Sequence, residues 1–284
     1  MERLIKLSQK KINTVKTGFK RFLYREIDWD QPLILIKGYR GTGKTTLLLQ
    51  HAKELSGKII YLSLDDMYFE TYRLAVLVDT LYEQGYRYFF LDEVHRYKHW
   101  SKDLKNIYDN YPDIKVAATG SSILEVSKGQ ADLSRRAITY YLPGLSFREF
   151  LELSYRNIFS VITLETIISQ HHDIAADYYD ILNVEKAFRE YLRYGYYPFF
   201  DEGKKFYGQK LLETTNLVLD EVLHNVTSSR FGDFTIDDTY TFEIGGPSKT
   251  REQIRGVPDA YIAADGIKGG SGNKIPLWLF GFLY

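Results

Sequence analysis

Cysteine is absent from this 284-residue chain, which excludes disulfides, thiolate metal sites and a cysteine nucleophile. Net charge is absent too. Thirty-seven Lys and Arg balance 37 Asp and Glu, so no bulk field draws the chain to nucleic acid or an anionic membrane, and only a local basic patch is left open. Long apolar runs are also lacking. The longest, Leu277-Trp278-Leu279-Phe280-Gly281-Phe282-Leu283-Tyr284, is too short to cross a bilayer. The first residues, MERLIKLSQKKINTVKTGFKRF, are charged and helical in period, without the apolar core of a signal peptide. What remains is ordinary for a globular protein: 44% hydrophobic and 26% charged residues, in a length that favours two domains. The 24 tyrosines read as core and surface filler rather than a base-stacking device.

Against this plain background, Gly38-Tyr39-Arg40-Gly41-Thr42-Gly43-Lys44-Thr45 fits the phosphate-binding pattern G-x-x-x-x-G-K-[ST]. It lies between a β-like run, Leu33–Lys37, and a helix-like run, Thr46–Leu55, the strand–loop–helix setting in which the motif works. Glycines let successive backbone N–H groups turn around phosphate oxygens, and the helix N-terminus adds partial positive charge. The nucleotide ligands are therefore expected to be residues 38–46, from Gly38 to Thr46. Lys44 bridges the β- and γ-phosphates, Thr45 ligates Mg²⁺, and Arg40 faces solvent or a partner. No guanine-reading Asn-Lys-x-Asp occurs, because Asn273-Lys274-Ile275-Pro276 lacks the acid, so ATP is the expected nucleotide.

A second motif, Arg87-Tyr88-Phe89-Phe90-Leu91-Asp92-Glu93, is an apolar strand ending in two acids. Asp92 is expected to hold the Mg²⁺ water shell opposite Thr45, and Glu93 to orient or deprotonate an attacking water. On the next β run, Thr119, Ser121 and Ser122 either sense the terminal phosphate or cap the following helix. Arg135 and Arg136 are candidate fingers on the γ-phosphate, from the same subunit or a neighbour, or else an exposed basic pair or a salt bridge. His95 and His99 stand four apart, but no thiolate or acid completes a metal set, and a loop contacting a partner or the nucleotide site is the better reading.

Strand and helix periods alternate from residue 33 to 142. Apolar runs at Leu33–Lys37, Lys58–Ser63, Tyr86–Leu91, Ile114–Thr119 and Ala137–Leu142 predict a parallel sheet buried on both faces. Helices are expected near 71–84 and 100–108. After Pro143-Gly144 the β signal stops and helical spacing runs through 146–224. A β-like period returns at Thr239–Ile244 and Asp259–Ala264. The expected organisation is a P-loop NTPase domain over 1–145, a helical region over 146–224 and a small α/β segment over 225–284.

The stretches IDWDQPLILIKGYRGTGKTTLLLQ, YFFLDEVHRYKHWSKDLKNIYD, ATGSSILEV and YLPGLSFREFLEL resemble a family of prokaryotic ATP-binding proteins in the AAA superfamily. In that family an ATPase domain precedes a domain with a winged-helix part and a restriction-endonuclease-like part. The resemblance implies Lys44 and Thr45 as nucleotide ligands, Asp92 and Glu93 as metal and catalytic acids, and Thr119 to Ser122 as the sensor. Phe242–Gly246, Lys249–Ile254 and the apolar tail are similar to the family's end. The chain is short between Leu223 and Phe231, which implies an internal deletion or a degenerate copy. Nuclease chemistry needs an acid from one strand and an acid-x-lysine from the next. Asp233 and Glu243 offer the acids, but Gly245 stands at the lysine position and only Lys249 is near enough to migrate in. The segment from Phe231 is marginal as an independent fold and is expected to pack on the ATPase half or pair with another chain. The expected activity is Mg²⁺-dependent ATP hydrolysis in the cytoplasm, with an unidentified protein partner and no membrane; a homo-oligomer, common among AAA relatives, is left open by the sequence. The alternative is a nucleotide-gated switch or binding module with little hydrolysis; a DNA link rests only on the family's C-terminal domain.

Overall fold

The computed structural model describes residues 1–121, 133, 135–202, 232–236 and 240–282, which divide into two compact units. One spans Met1–Gly144, and the other takes in the described residues from Leu145 on. Ser122, the helix expected near 205–224 and the junction between Leu223 and Phe231 lie outside the described residues.

The first unit is built on five parallel strands: β1 (Leu33–Lys37), β2 (Ile59–Ser63), β3 (Tyr88–Asp92), β4 (Lys115–Gly120) and β5 (Ile138–Tyr141). Their order is β2-β3-β4-β1-β5, so β4 stands between the strand that feeds the glycine-rich loop and the strand that ends in acids. The period-2 geometry of a strand sends alternate residues to opposite faces. On β1, Leu33 and Leu35 enter one apolar cluster with Leu77, Leu81, Leu104 and Ile107, while Ile34 and Ile36 enter another with Leu47, Leu48 and Ala52. Both faces are covered, which is why these runs are almost wholly apolar.

Helix α1 (Glu2–Thr14) lies against β2, an outer strand of the sheet, where the Ser8 hydroxyl accepts from the Tyr61 amide at 2.8 Å. That contact meets an edge donor that strand pairing leaves open. A short α2 (Leu23–Glu26) precedes β1, and α3 (Lys44–Glu54) follows the glycine-rich loop. The helix expected over 71–84 is α5 (Leu74–Glu83), and a short α4 (Tyr68–Thr71), not expected, precedes it. Tyr72 and Arg73 are extended between them, and the Arg73 guanidinium pairs with the fully buried Asp103 on α6 (Trp100–Asn110). A periodicity reading cannot see that long-range ion pair, so it started the helix three residues early.

The second unit begins with α7 (Phe147–Tyr155), started by a capping box in which Ser146 and Glu149 exchange side-chain and backbone bonds. Helices α8 (Leu164–Ile181) and α9 (Val184–Glu190) follow. A mixed sheet then orders β6 (Phe234–Ile236), β7 (Tyr240–Gly245), β8 (Ala260–Ala264) and β9 (Lys274–Pro276). β6 and β9 were not expected, because three residues are too few to show a period. The apolar tail forms a 3₁₀ turn, Leu277–Phe282, whose Phe282 ring meets Phe147 at 5.5 Å, Phe159 at 5.6 Å and Tyr178 at 4.9 Å. Thus the tail, expected to pack on the ATPase half or another chain, is core for the helices of its own unit. Phe147, with no exposed surface, also faces Phe188 at 5.1 Å and Tyr191 at 5.4 Å. Phe147→Ala is expected to cost about 3–5 kcal/mol of stability, read as a lower urea midpoint by a probe in this unit, such as Trp278 fluorescence.

Among the described residues no helix is long and apolar enough to cross a membrane.

Candidate functional site

The glycine-rich loop leaves β1 at its carboxyl end and turns into α3. Gly38 is required by close approach, since a Cβ there would stand 2.2 Å from the Leu142 carbonyl oxygen. Gly41 and Gly43 have φ of 84° and 98°, values that side chains resist. Thr42, wholly buried, donates its hydroxyl to the Tyr39 carbonyl at 2.9 Å and braces the loop from inside. Lys44 opens α3. Its ammonium, 4% exposed as a residue, donates to the carbonyls of Gly38 at 2.7 Å and Tyr39 at 2.8 Å. Tyr39 is buried, whereas Arg40 and Thr46 are exposed, so Arg40 faces outward as expected.

Across β4, the acids stand at the end of β3. Asp92 is buried and collects three hydroxyls. Thr45 donates to its Oδ2 at 2.7 Å, Tyr61 donates to the same oxygen at 2.6 Å, and Thr119 donates to Oδ1. Burial, together with the Asp92 charge, pushes the Tyr61 phenol far above its usual range, so it stays a donor. Glu93 turns the chain with φ 54° and ψ 41°, a left-handed conformation unusual outside glycine and the kind of backbone strain found where a side chain must be aimed. Its amide donates to Thr119 Oγ1 at 3.3 Å, and its carboxylate accepts from Ser121 Oγ at 2.6 Å.

His95 Nε2 lies 3.4 Å from Glu93 Oε2, and its ring is almost wholly buried. Burial holds this imidazole below the ordinary histidine value, and the Glu93 charge opposes that effect. Its Nδ1 is buried without a hydrogen-bond partner among the described residues. His99 instead packs edge-on against Tyr97 at 5.9 Å, so the two histidines do not share a site. Among the described residues no group of three or more His, Cys, Asp or Glu is placed to hold a metal ion.

The structure therefore brings together Lys44, Thr45, Asp92, Glu93, Thr119 and Ser121 at the carboxyl end of one sheet. That is where ligands sit in open parallel sheets. Thr119 and Ser121 bond the acids, which makes them organisers of the carboxylates in this geometry. Arg135 and Arg136 are not brought there. Ile138 pairs with Ile34, so both arginines precede β5 at the amino end of the sheet, opposite the glycine-rich loop. Arg136 holds Asp109 on α6 with bonds of 2.8 and 3.0 Å, and Arg135 is exposed. As fingers onto their own chain's loop they are misplaced by strand direction, which the sequence window did not weigh. Tyr61 was missed as a member of the site, whereas His95, whose loop was expected to contact a partner or the nucleotide site, stands beside Glu93. Tyr61 sits on β2, whose pairing with β3 sets it beside Phe90 and carries its hydroxyl to Asp92.

In the second unit Lys249 does reach the acid on β7. Its Nζ is 2.5 Å from Glu243 Oε1, and its side chain fills the space over Gly245. Asp233 accepts from the Ile244 amide at 2.6 Å. The lysine neutralises the buried Glu243, so these residues form an ion pair rather than an open set of anionic ligands.

The donor set of the first unit suits a nucleotide and a hard divalent cation. A glycine-rich loop at a helix N-terminus fits phosphate, and a hydroxyl facing a carboxylate supplies the oxygen ligands Mg²⁺ prefers. Residues 30–151 match the family model of an AAA domain. An uncharacterized protein of Methanocaldococcus jannaschii is 33% identical over 184 residues, which is 59% of this chain and 38% of that protein. The chain thus spans well under half the length of this curated relative. Among solved structures, the RuvB Holliday junction branch migration motor of Thermotoga maritima is 22% identical, covering 51% of this chain and 47% of that one, with a TM-score of 0.33. PCH-2 of C. elegans is 21% identical over 58% of this chain and 48% of its own, with a TM-score of 0.35.

Proposed function

We propose, from the match of residues 30–151 to the model of an AAA domain, that the chain binds ATP with Mg²⁺ and hydrolyses its terminal phosphoanhydride. The observation that carries this reading is the 2.7 Å bond from Thr45 to Asp92 beside the Lys44 loop, which joins the two halves of a nucleotide site across the sheet. Backbone amides of residues 41–45 bind the phosphate oxygens. Lys44 exchanges its loop carbonyls for the β- and γ-phosphates and offsets their charge. Thr45 and Asp92 would hold the cation, which would neutralise phosphate charge and polarise the terminal group. Glu93, aimed by its left-handed backbone and steadied by Ser121, orients the attacking water and takes its proton. Thr119 links the two acids and stands between them and the loop, so it is placed to register the terminal phosphate. A neighbouring copy is a candidate source of the finger arginine, since Arg135 and Arg136 lie at the far end of their own sheet.

The test is calorimetric titration with ATP in magnesium buffer, together with phosphate release. Wild type is expected to bind and turn over. Lys44→Ala is expected to lose at least about a hundredfold in affinity, on the scale of a buried charge-assisted contact removed from a phosphate site. Wild type showing no affinity for ATP, or Lys44→Ala binding like wild type, overturns the reading.

A further inference from the structure

Arg21 is buried, yet it belongs to no helix or strand and to no motif read from the sequence. The segment leading to it is laid along α3 by that helix's own side chains. Lys53 donates to the carbonyls of Asn13 at 3.0 Å and Val15 at 2.9 Å, and Gln50 to those of Lys16 and Phe19, both at 2.8 Å. At the end of this strap the guanidinium enters behind the glycine-rich loop. One nitrogen donates to the Thr42 carbonyl, and the other donates to Pro143 O at 2.9 Å and Gly144 O at 2.8 Å. Arg21 therefore ties the phosphate loop to the peptide that leaves the sheet after β5. Two backbone contacts run alongside it: Leu142 N donates to Lys37 O at 2.8 Å, and the Leu142 carbonyl presses on Gly38.

A trans peptide points its carbonyl and the following N–H in opposite directions. Holding the Thr42 carbonyl from behind therefore sends the Gly43 N–H the other way, into the cradle. Resting on the nucleotide reading above, we propose that Arg21 is a positioning residue for the anion cradle, and that it links occupancy of the loop to the state of the exit peptide at residues 142–144. The planar fork suits this work, since it spans two separate backbone segments at fixed angles, which a lysine ammonium does not reproduce. By linkage, whatever nucleotide does to the loop is felt at the exit peptide, and a change at that peptide alters nucleotide affinity by the same factor.

The experiment follows full-length wild type, Arg21→Gln and Arg21→Lys by calorimetry with MgATPγS and by hydrogen exchange of peptides covering 141–145, with and without the nucleotide. Wild type is expected to slow exchange over 141–145 when the nucleotide binds. Arg21→Gln is expected to bind roughly tenfold more weakly and to lose that protection even at saturation, with Arg21→Lys intermediate. A merely structural arginine would change thermal stability but leave nucleotide-dependent protection intact. Wild-type affinity in Arg21→Gln, or protection retained in it at saturation, overturns the proposal. So does a wild type whose exchange at 141–145 ignores nucleotide, a result that holds even if Arg21→Gln does not fold. Absence of ATPγS binding to wild type sinks the nucleotide reading along with this one, whereas normal binding with indifferent Arg21 variants sinks only the role of Arg21.

Discussion

Glu93→Gln is expected to bind MgATP about as tightly as wild type and to hydrolyse it at least about a hundredfold more slowly, the scale of a lost general base. The amide copies the shape of the carboxylate, and its oxygen can still accept from Ser121 Oγ, which lies 2.6 Å from Glu93 Oε2. The left-handed backbone at 93 is unaffected in kind, since the side chain beyond Cβ changes only in its last group. What is lost is the ability to take a proton. Binding should survive because Glu93 donates nothing to the loop; its amide bonds Thr119 and its carboxylate bonds Ser121. Phosphate release at saturating ATP, paired with calorimetric affinity, separates the two effects: kcat falls while affinity holds. Equal turnover removes Glu93 from its role and favours a nucleotide-gated switch with another route to slow hydrolysis.

The parts of this site that a sequence can reveal are those fixed by local chemistry. Gly38, Gly41 and Gly43 announce a loop because no other residue serves there, and the apolar run into Asp92 and Glu93 announces a strand end because an apolar run gives way to charge within one residue. The five parallel strands were legible for the same reason, and their observed ends differ from the expected ones by at most two residues, but β5, expected to be buried on both faces, lies partly exposed at the edge of the sheet. What was not legible depends on contacts distant in sequence. Tyr61 reaches Asp92 across 31 residues of chain, and Arg73 reaches Asp103 across 30. Arg21 reaches Gly144 across 123. Whether Arg136 was a finger or a salt-bridge partner stayed open because its distance from the loop is set by strand direction, which no window of residues contains. The segment from Phe231 was expected to be marginal from its size alone, because the partners of its tail, Phe147 and Tyr178, lie more than a hundred residues before Phe282.

Asp92→Asn is expected to abolish the strengthening of nucleotide binding by Mg²⁺ and to lower turnover on the order of a thousandfold, as when a preorganised charge is removed from a phosphoryl-transfer site. Three hydroxyls converge on this carboxylate, from Thr45, Tyr61 and Thr119, and all three can rotate to accept from an amide NH₂. The substitution therefore removes the negative charge with little loss of packing, and thermal stability should move by only a few degrees. Titrating a fluorescent ATP analogue with and without magnesium reads the effect without relying on turnover. Wild type should gain affinity from magnesium and Asp92→Asn should not. Tyr61→Phe is the matched comparison. It leaves the charge and deletes one bond worth about 1 kcal/mol, so its magnesium response should survive with a modest loss of stability. A magnesium response kept by Asp92→Asn, or lost by Tyr61→Phe alone, would place the cation on other oxygens and detach β3 from the nucleotide chemistry.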